Sequence, residues 1–259
     1  MAISVATYPS VVFQREVTAA IRIGRVPGED RRTQLRLLSA QDDVDRVPGG
    51  LADDWPADAL QLAGDGLLRA LVGGASRAAD LARRCAIDLR SRDWDGDAEL
   101  ADLLEATLGI GPTPLLRPIA VVLEELAMVL EGDPVHGGGR IDLRNGEVWP
   151  AAAIEYTQDT GELEDDDDDA QDGDRWLWVP SQGSRDGYRD MELFAARMGD
   201  AGLGGRLERA LTGRGVFRRF RDVLAESPRH LQEWYAFRDE RQRGRARNWL
   251  ASEGYRPVP

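Results

Sequence analysis

The hydrophobic period of this chain changes at Gly137-Gly138-Gly139, and the change limits what the chain can fold into. Upstream, apolar residues recur every three or four positions. Leu60, Ala63, Leu67, Leu68, Leu71 and Val72 make one such stripe, and Leu100, Leu103, Leu104 and Leu108 another. That spacing lines up one side of a helix. Downstream, Arg140-Ile141-Asp142-Leu143 and Glu147-Val148-Trp149 flank Arg144-Asn145-Gly146, where Asn-Gly supplies the positive φ of a tight turn, so the segment reads as a β-hairpin. Ala152 to Thr157 continue the second strand in this reading, and Arg175-Trp176-Leu177-Trp178-Val179 return as a third strand. The fold class expected is α+β: a helical N-terminal region, then a small antiparallel sheet covered by C-terminal helices.

The boundaries follow from punctuation. Residues 1–50 form an N-terminal extension without a clear pattern, closed by a break at Pro48-Gly49-Gly50. Residues 51–132 are a helical region. There Ser76 is expected to cap a helix carrying Ala79, Leu81, Ala82 and Cys85, and Asp97 to cap the next. Pro112, Pro114 and Pro118 make a rigid connection, followed by a helix over Leu123 to Glu131. Residues 133–259 form the α+β domain, with an acidic loop at 159–174 between two of its strands.

Charge is unevenly spread. The formal net charge is −13, and residues 159–174 carry ten acids and no base, which leaves −3 for everything else. Residues 184–259 hold 16 arginines against 11 acids, a net +5. All 33 basic residues are arginine. Schiff-base chemistry, a lysine general base and a Walker-type phosphate loop are therefore excluded, because each needs a lysine. Arginine stays protonated, so these groups bind anions or pair with carboxylates and do not shuttle protons.

The arginines concentrate near the C-terminus. Val216, Phe217, Phe220, Val223 and Leu224 form one helical stripe, and Arg214, Arg218 and Arg221 fall off it, with Arg219 alongside. Gly213 and Gly215 open the turn before this helix, and Ser227-Pro228 closes it. Two further short helices, around Leu231 to Phe237 and Ala246 to Leu250, complete a C-terminus clamped by aromatics. Arg238, Arg241, Arg243, Arg245 and Arg247 lie between them. Guanidinium forks match phosphate oxygens, but nearby acids offer several of them internal partners.

Other constellations are weaker. Asp93, Asp95, Gly96, Asp97 and Asp102 approach a calcium-loop spacing, but Ser91 stands at its first position and Asp102 where a bidentate Glu belongs. The run Asp165 to Asp169 offers oxygen ligands without fixed geometry. His136 stands beside the glycines, and histidine is the residue type suited to acid–base work at neutral pH. With two histidines and one cysteine, a zinc site would need carboxylates. Cys85 reads as a buried small hydrophobe. One cysteine, no apolar run of ~18 residues and no signal-peptide pattern in residues 1–15 point to the cytoplasm.

Gly213-Arg214-Gly215-x-Phe217-Arg218-Arg219-Phe220-x-Asp222, with Trp234-Tyr235-x-Phe237 and Trp249-Leu250, resembles a bacterial uncharacterised protein family. The likeness extends to Gly139-Arg140-Ile141-Asp142-Leu143-x-x-Gly146-Glu147-Val148 and Tyr188-Arg189-x-Met191-x-x-Phe194, so it covers roughly residues 120–259. Trp94-x-Gly96-Asp97-x-Glu99-Leu100 is similar to actinobacterial members with a longer N-terminal region. The resemblance implies no established activity, catalytic residue or cofactor.

The function expected is a non-catalytic binding or regulatory module. Arg214, Arg218, Arg219 and Arg221 would meet an anionic partner, nucleic acid or a phosphorylated ligand. One alternative is a divalent-metal hydrolase built on Asp142, Glu147 and His136, beside Arg140. The other is an adaptor whose acidic loop meets a protein partner. No cofactor, bound metal or membrane is called for.

Overall fold

The computed structural model describes residues 46–53, 55–132, 137–160, 175–199 and 201–258. Most of the expected N-terminal extension, His136 and nearly all of the acidic loop lie outside the described residues.

The N-terminal part is a sheaf of helices: α1 (Arg46–Asp53), α2 (Leu60–Val72), α3 (Ala78–Arg92) and α4 (Asp97–Thr107). Leu51, Leu67, Leu89, Leu100 and Leu104 are fully buried at its centre. α1 runs through Pro48-Gly49-Gly50, where a break was expected. Pro48 sits in its first turn, where no amide donor is needed, and burial of Leu51 holds the helix in place. Ser76 is not a cap, since α3 starts after Arg77 and no side chain bonds its N-terminus. Asp97 is not one either. Gly96, in the left-handed region at φ 78°, precedes α4, and Asp97 is its first helical residue.

The proline connection hides a strand. β1 (Arg117–Ile119) pairs in parallel with β5 (Tyr255–Pro257), Arg117 opposite Tyr255 and Ile119 opposite Pro257. A two-stranded ribbon is all edge, so Pro118 and Pro257 cost it few hydrogen bonds. α5 (Leu123–Leu130) follows, and then β2 (Gly139–Asp142), β3 (Val148–Pro150) and β4 (Trp176–Val179). These three form an antiparallel sheet in the order β3-β2-β4, as the alternation implied. The second strand stops early. Residues expected to extend it form α6 (Ala151–Thr160), because Ala151-Ala152-Ala153 after Pro150 favours a helix start over a pleat.

α7 (Arg185–Arg197), α8 (Ala201–Ala210), α9 (Val216–Ala225) and α10 (Pro228–Ser252) finish the chain. The two short terminal helices expected after Pro228 are one helix of 25 residues, roughly 37 Å long at 1.5 Å per residue. α10 has no continuous apolar stripe because it serves different neighbours along its length. Trp234 and Phe237 join Phe194 and Phe220 in an aromatic cluster, with edge-to-face ring centroids 5.1 Å apart for Phe220 and Trp234. Ala246, Trp249 and Leu250 pack on the core of α5 and the sheet. Between these stretches it crosses the α3–α4 connection. An added Cβ at Gly244 would stand 2.0 Å from the Asp95 carbonyl oxygen, and one at Gly96 2.2 Å from that of Gly244. No helix among the described residues is long and apolar enough to cross a membrane.

Candidate functional site

The middle of α10 carries the densest charge in the fold, and that charge is turned inward. Glu240 is 1% exposed and accepts hydrogen bonds from the Gln61 amide (2.9 Å) and from Arg92 Nη1 (3.0 Å). It thereby caps α2 from a distant helix, where Ala59 offers no side-chain cap. Arg92 also forks onto Asp97 at 2.9 and 2.7 Å, and Gln61 bridges Asp97 to Arg247. Arg247 and Arg243 close on Asp65 at 2.6 and 3.0 Å. Burial disfavours the Asp65 charge, but Arg247 and Arg243 outweigh it and hold its carboxyl below the usual range. Arg92, Arg243 and Arg247 thus stand against Asp65, Asp97 and Glu240, three charges of each sign. Glu124 adds a further partner for Arg243. A buried ionic network of this kind fixes a packing arrangement and occupies its arginines within the fold, with Arg247 Nη1 alone of its atoms left without a hydrogen-bond partner among the described residues.

Arg241 and Arg245 are also engaged, both on Asp190, at 3.0 and 2.9 Å. Arg241 further pairs with Asp95 at 3.3 Å, and Arg90 with Asp102 at 2.7 Å. With Asp97 on Arg92, arginines hold three of the acids that a calcium loop would need. No group of three or more His, Cys, Asp or Glu among the described residues could hold a metal ion. Burial pushes the Cys85 thiol far above its ordinary range, so it is not a nucleophile.

α9 presents the opposite picture. Phe220 and Leu224 are buried and fix the helix, and Gly213 and Gly215, both at positive φ, let the chain turn into it. Arg214, Arg218 and Arg221 are exposed. Arg218 has a loose partner, Asp222 at 3.7 Å, with 85% of the Arg218 side chain in solvent. No ion pair holds Arg214 or Arg221 among the described residues. Arg219 behaves differently. Its guanidinium donates to the carbonyls of Ala210, Thr212 and Arg214, closing the end of α8 and the turn into α9. It is a structural brace that reaches back from the first turn of α9 over the Gly213–Gly215 turn to the end of α8. Phe217, expected on the buried stripe, is 47% exposed and lies against Gly187 of α7.

The carboxylates near the glycine turn do not converge. Asp142 is 3% exposed and is gripped by Arg175 at 3.0 and 2.7 Å and by the Arg144 amide at 2.9 Å. Burial opposes its charge, but Arg175 and that amide prevail and hold its carboxyl below the usual range. Glu147 is exposed and leans towards Asn145 at 3.4 Å. It lines a different cleft of about 530 Å³ with Glu125, whose carboxyl is raised by burial and by the charges of Glu147 and Glu124. Arg140 lies over the Trp176 ring at 3.7 Å.

A group whose pKa is depressed on folding contributes stability above its unfolded value and loses it as pH falls through the folded value. The Asp142–Arg175 pair should therefore act fully at neutral pH and fade below about pH 4. Urea denaturation should show Asp142→Asn less stable than the parent by about 1–3 kcal/mol at pH 7. The gap should narrow at pH 3. An equal gap at both pH values would mean that Asp142 matters for its shape and not its charge.

The sequence pointed to Arg140 but not to its surroundings. Trp149 and Trp178 stand directly opposite it on the two neighbouring strands, so the outward face of the sheet carries tryptophans around one guanidinium. The alternation Trp176-Leu177-Trp178-Val179 held that signal: Val179 is buried and Trp178 is 64% exposed.

The family model described as "Uncharacterised protein family (UPF0158)" matches residues 114–259, from just before β1 through β5. The chain belongs to this family. A UPF0158 protein of Pseudomonas aeruginosa is 27% identical over 143 residues, covering 55% of this chain and 89% of the relative. No solved structure matches. The matched UPF0158 segment includes β1 and α5, which pack with α10 and β5, and it excludes α1 to α4.

Proposed function

We propose that this UPF0158 protein is a non-catalytic binding module whose α9 face meets the phosphate backbone of a nucleic acid. The observation that carries this reading is the contrast between two arginine sets. Those in the middle of α10 are neutralised inside the fold, whereas Arg214, Arg218 and Arg221 face solvent on a helix pinned from behind. Arg218 and Arg221 stand roughly 4.5 Å apart along the axis of α9, and Arg214 lies just before its first turn, so the three can meet neighbouring phosphates of one backbone. Exposed Phe217 on the same helix adds a ring for stacking against a base. The hydrolase reading loses support because Arg175 occupies Asp142. We read α1 to α4 as the addition of a long-form, actinobacterial-type member, docked through the α10 charges, and the protein as cytoplasmic.

The test is fluorescence-polarisation binding of labelled mixed-sequence oligonucleotides across a salt series. Log affinity should fall linearly with log salt, and Arg218→Ala and Arg221→Ala should each flatten the slope by about 0.7–0.9. Arg219→Ala should lower the melting temperature instead. Absence of binding at low salt, or slopes that the first two substitutions leave unchanged, would end this reading.

A further inference from the structure

Most half-buried arginines in this fold meet a carboxylate or a backbone carbonyl; Arg69 and Arg256 have no such partner among the described residues. Arg69, in the last turn of α2, and Arg256, in β5, both line a cleft of about 570 Å³ between the helical sheaf and the β1–β5 ribbon. No Asp or Glu lines it. Arg69 Nε is buried and has no hydrogen-bond partner among the described residues. Neither arginine is engaged in an ion pair there. The remaining wall is largely apolar, with Leu103 at the inner side and Val72 and Val258 at 71% and 40% exposure on the rim. Thr113 adds a hydroxyl.

We propose that this cleft binds a small organic monoanion, a carboxylate on an apolar body. Three features select that class. The volume lies within the roughly 300–1,000 Å³ of small-molecule pockets, and clefts between structural units are preferred places for them. Two guanidiniums with no carboxylate beside them line the wall, and a guanidinium matches the two oxygens of a carboxylate. The charge of the ligand follows from the helix ends. α2 and α4 both present C-terminal turns to the cleft, each worth roughly −0.5 charge, against two guanidiniums, which leaves about one positive charge to be met. A dianionic phosphate would be over-matched, and a neutral ligand would leave the two guanidiniums without a counter-charge. This site is separate from the α9 face and does not depend on that reading.

Octanoate is the probe, with octan-1-ol and octyl phosphate as comparators, measured by isothermal titration on the full chain. Octanoate should bind saturably at one site per chain, and octan-1-ol at least about tenfold more weakly. Arg69→Met and Arg256→Met should each weaken octanoate by about tenfold or more, while Arg218→Ala should leave it unchanged. Backbone amide exchange on the unmodified protein gives a readout independent of variant folding: octanoate should slow exchange at residues 103–115 and 255–258. No saturable binding, equal affinity for the alcohol, tighter binding of octyl phosphate, or protection confined to other segments would each overturn the assignment.

Discussion

Gly244→Ala should leave little folded protein. The new methyl carbon would stand 2.0 Å from the Asp95 carbonyl oxygen, which is backbone and cannot swing aside. Relief requires α10 to move off the α3–α4 connection. That movement would pull Glu240 from α2 and Arg241 from Asp95, since both lie within the same turns of α10. Overpacking that also breaks a buried ionic network belongs to the exceptional class of substitutions, costing about 4 kcal/mol or more of a total near 5–15. Gly205→Ala is the matched control. It lies in α8 with nothing within 4 Å of an added Cβ, so helix propensity should make it neutral or slightly stabilising. Thermal unfolding followed by circular dichroism compares the two. A Gly244→Ala protein melting within a few degrees of the parent would show that the crossing is looser than described.

Glu240→Ala should be nearly as damaging for a different reason. It strips the partner from one side of Arg92, which is 11% exposed, and uncaps the first turn of α2 at the Gln61 and Leu62 amides. Removing one member of a buried ion pair costs about 3–5 kcal/mol, because the surviving charge stays desolvated. The double variant Arg92→Met with Glu240→Leu should lose less than the sum of its two single variants, although Asp97 then loses its Arg92 fork and keeps only the Gln61 and Trp94 donors. Denaturant midpoints of Arg92→Met, Glu240→Leu and their double variant give the coupling directly. If the losses simply add, the pair is not coupled and the network is incidental.

Much of the architecture was legible in the sequence, and its failures share one cause. The change of period at the glycine triplet located the hairpin, and Trp176 to Val179 located its third strand, because alternation and turn chemistry are local. The continuity of α10 was not legible. Its apolar residues shift from the Trp234 and Phe237 side to the Ala246 and Leu250 side, and the stretch between them reads as a polar linker until Gln61 and Asp65 are placed against it. β1 is equally silent: three residues with Pro118 at the centre become a strand only when Tyr255 arrives beside Arg117. The same holds for the candidate site. Arg218 and Arg219 are adjacent in an arginine run, yet one faces solvent and the other braces three carbonyls. Composition counts arginines but does not say which are already engaged.

The parallel pairing of Arg117 with Tyr255 has a consequence in time. Most contacts within α2, α3 and α4 join near neighbours in the chain, so this part can form early during synthesis. The UPF0158 core cannot close until β5 has emerged, because β1 waits for it across more than half the sequence. Until α10 is made, Asp65 lacks Arg243 and Arg247, and Arg92 has Asp97 but not Glu240. The nascent chain therefore passes through an interval with a collapsed but electrostatically incomplete front end. Its last helix acts as a late-arriving bolt across the sheaf.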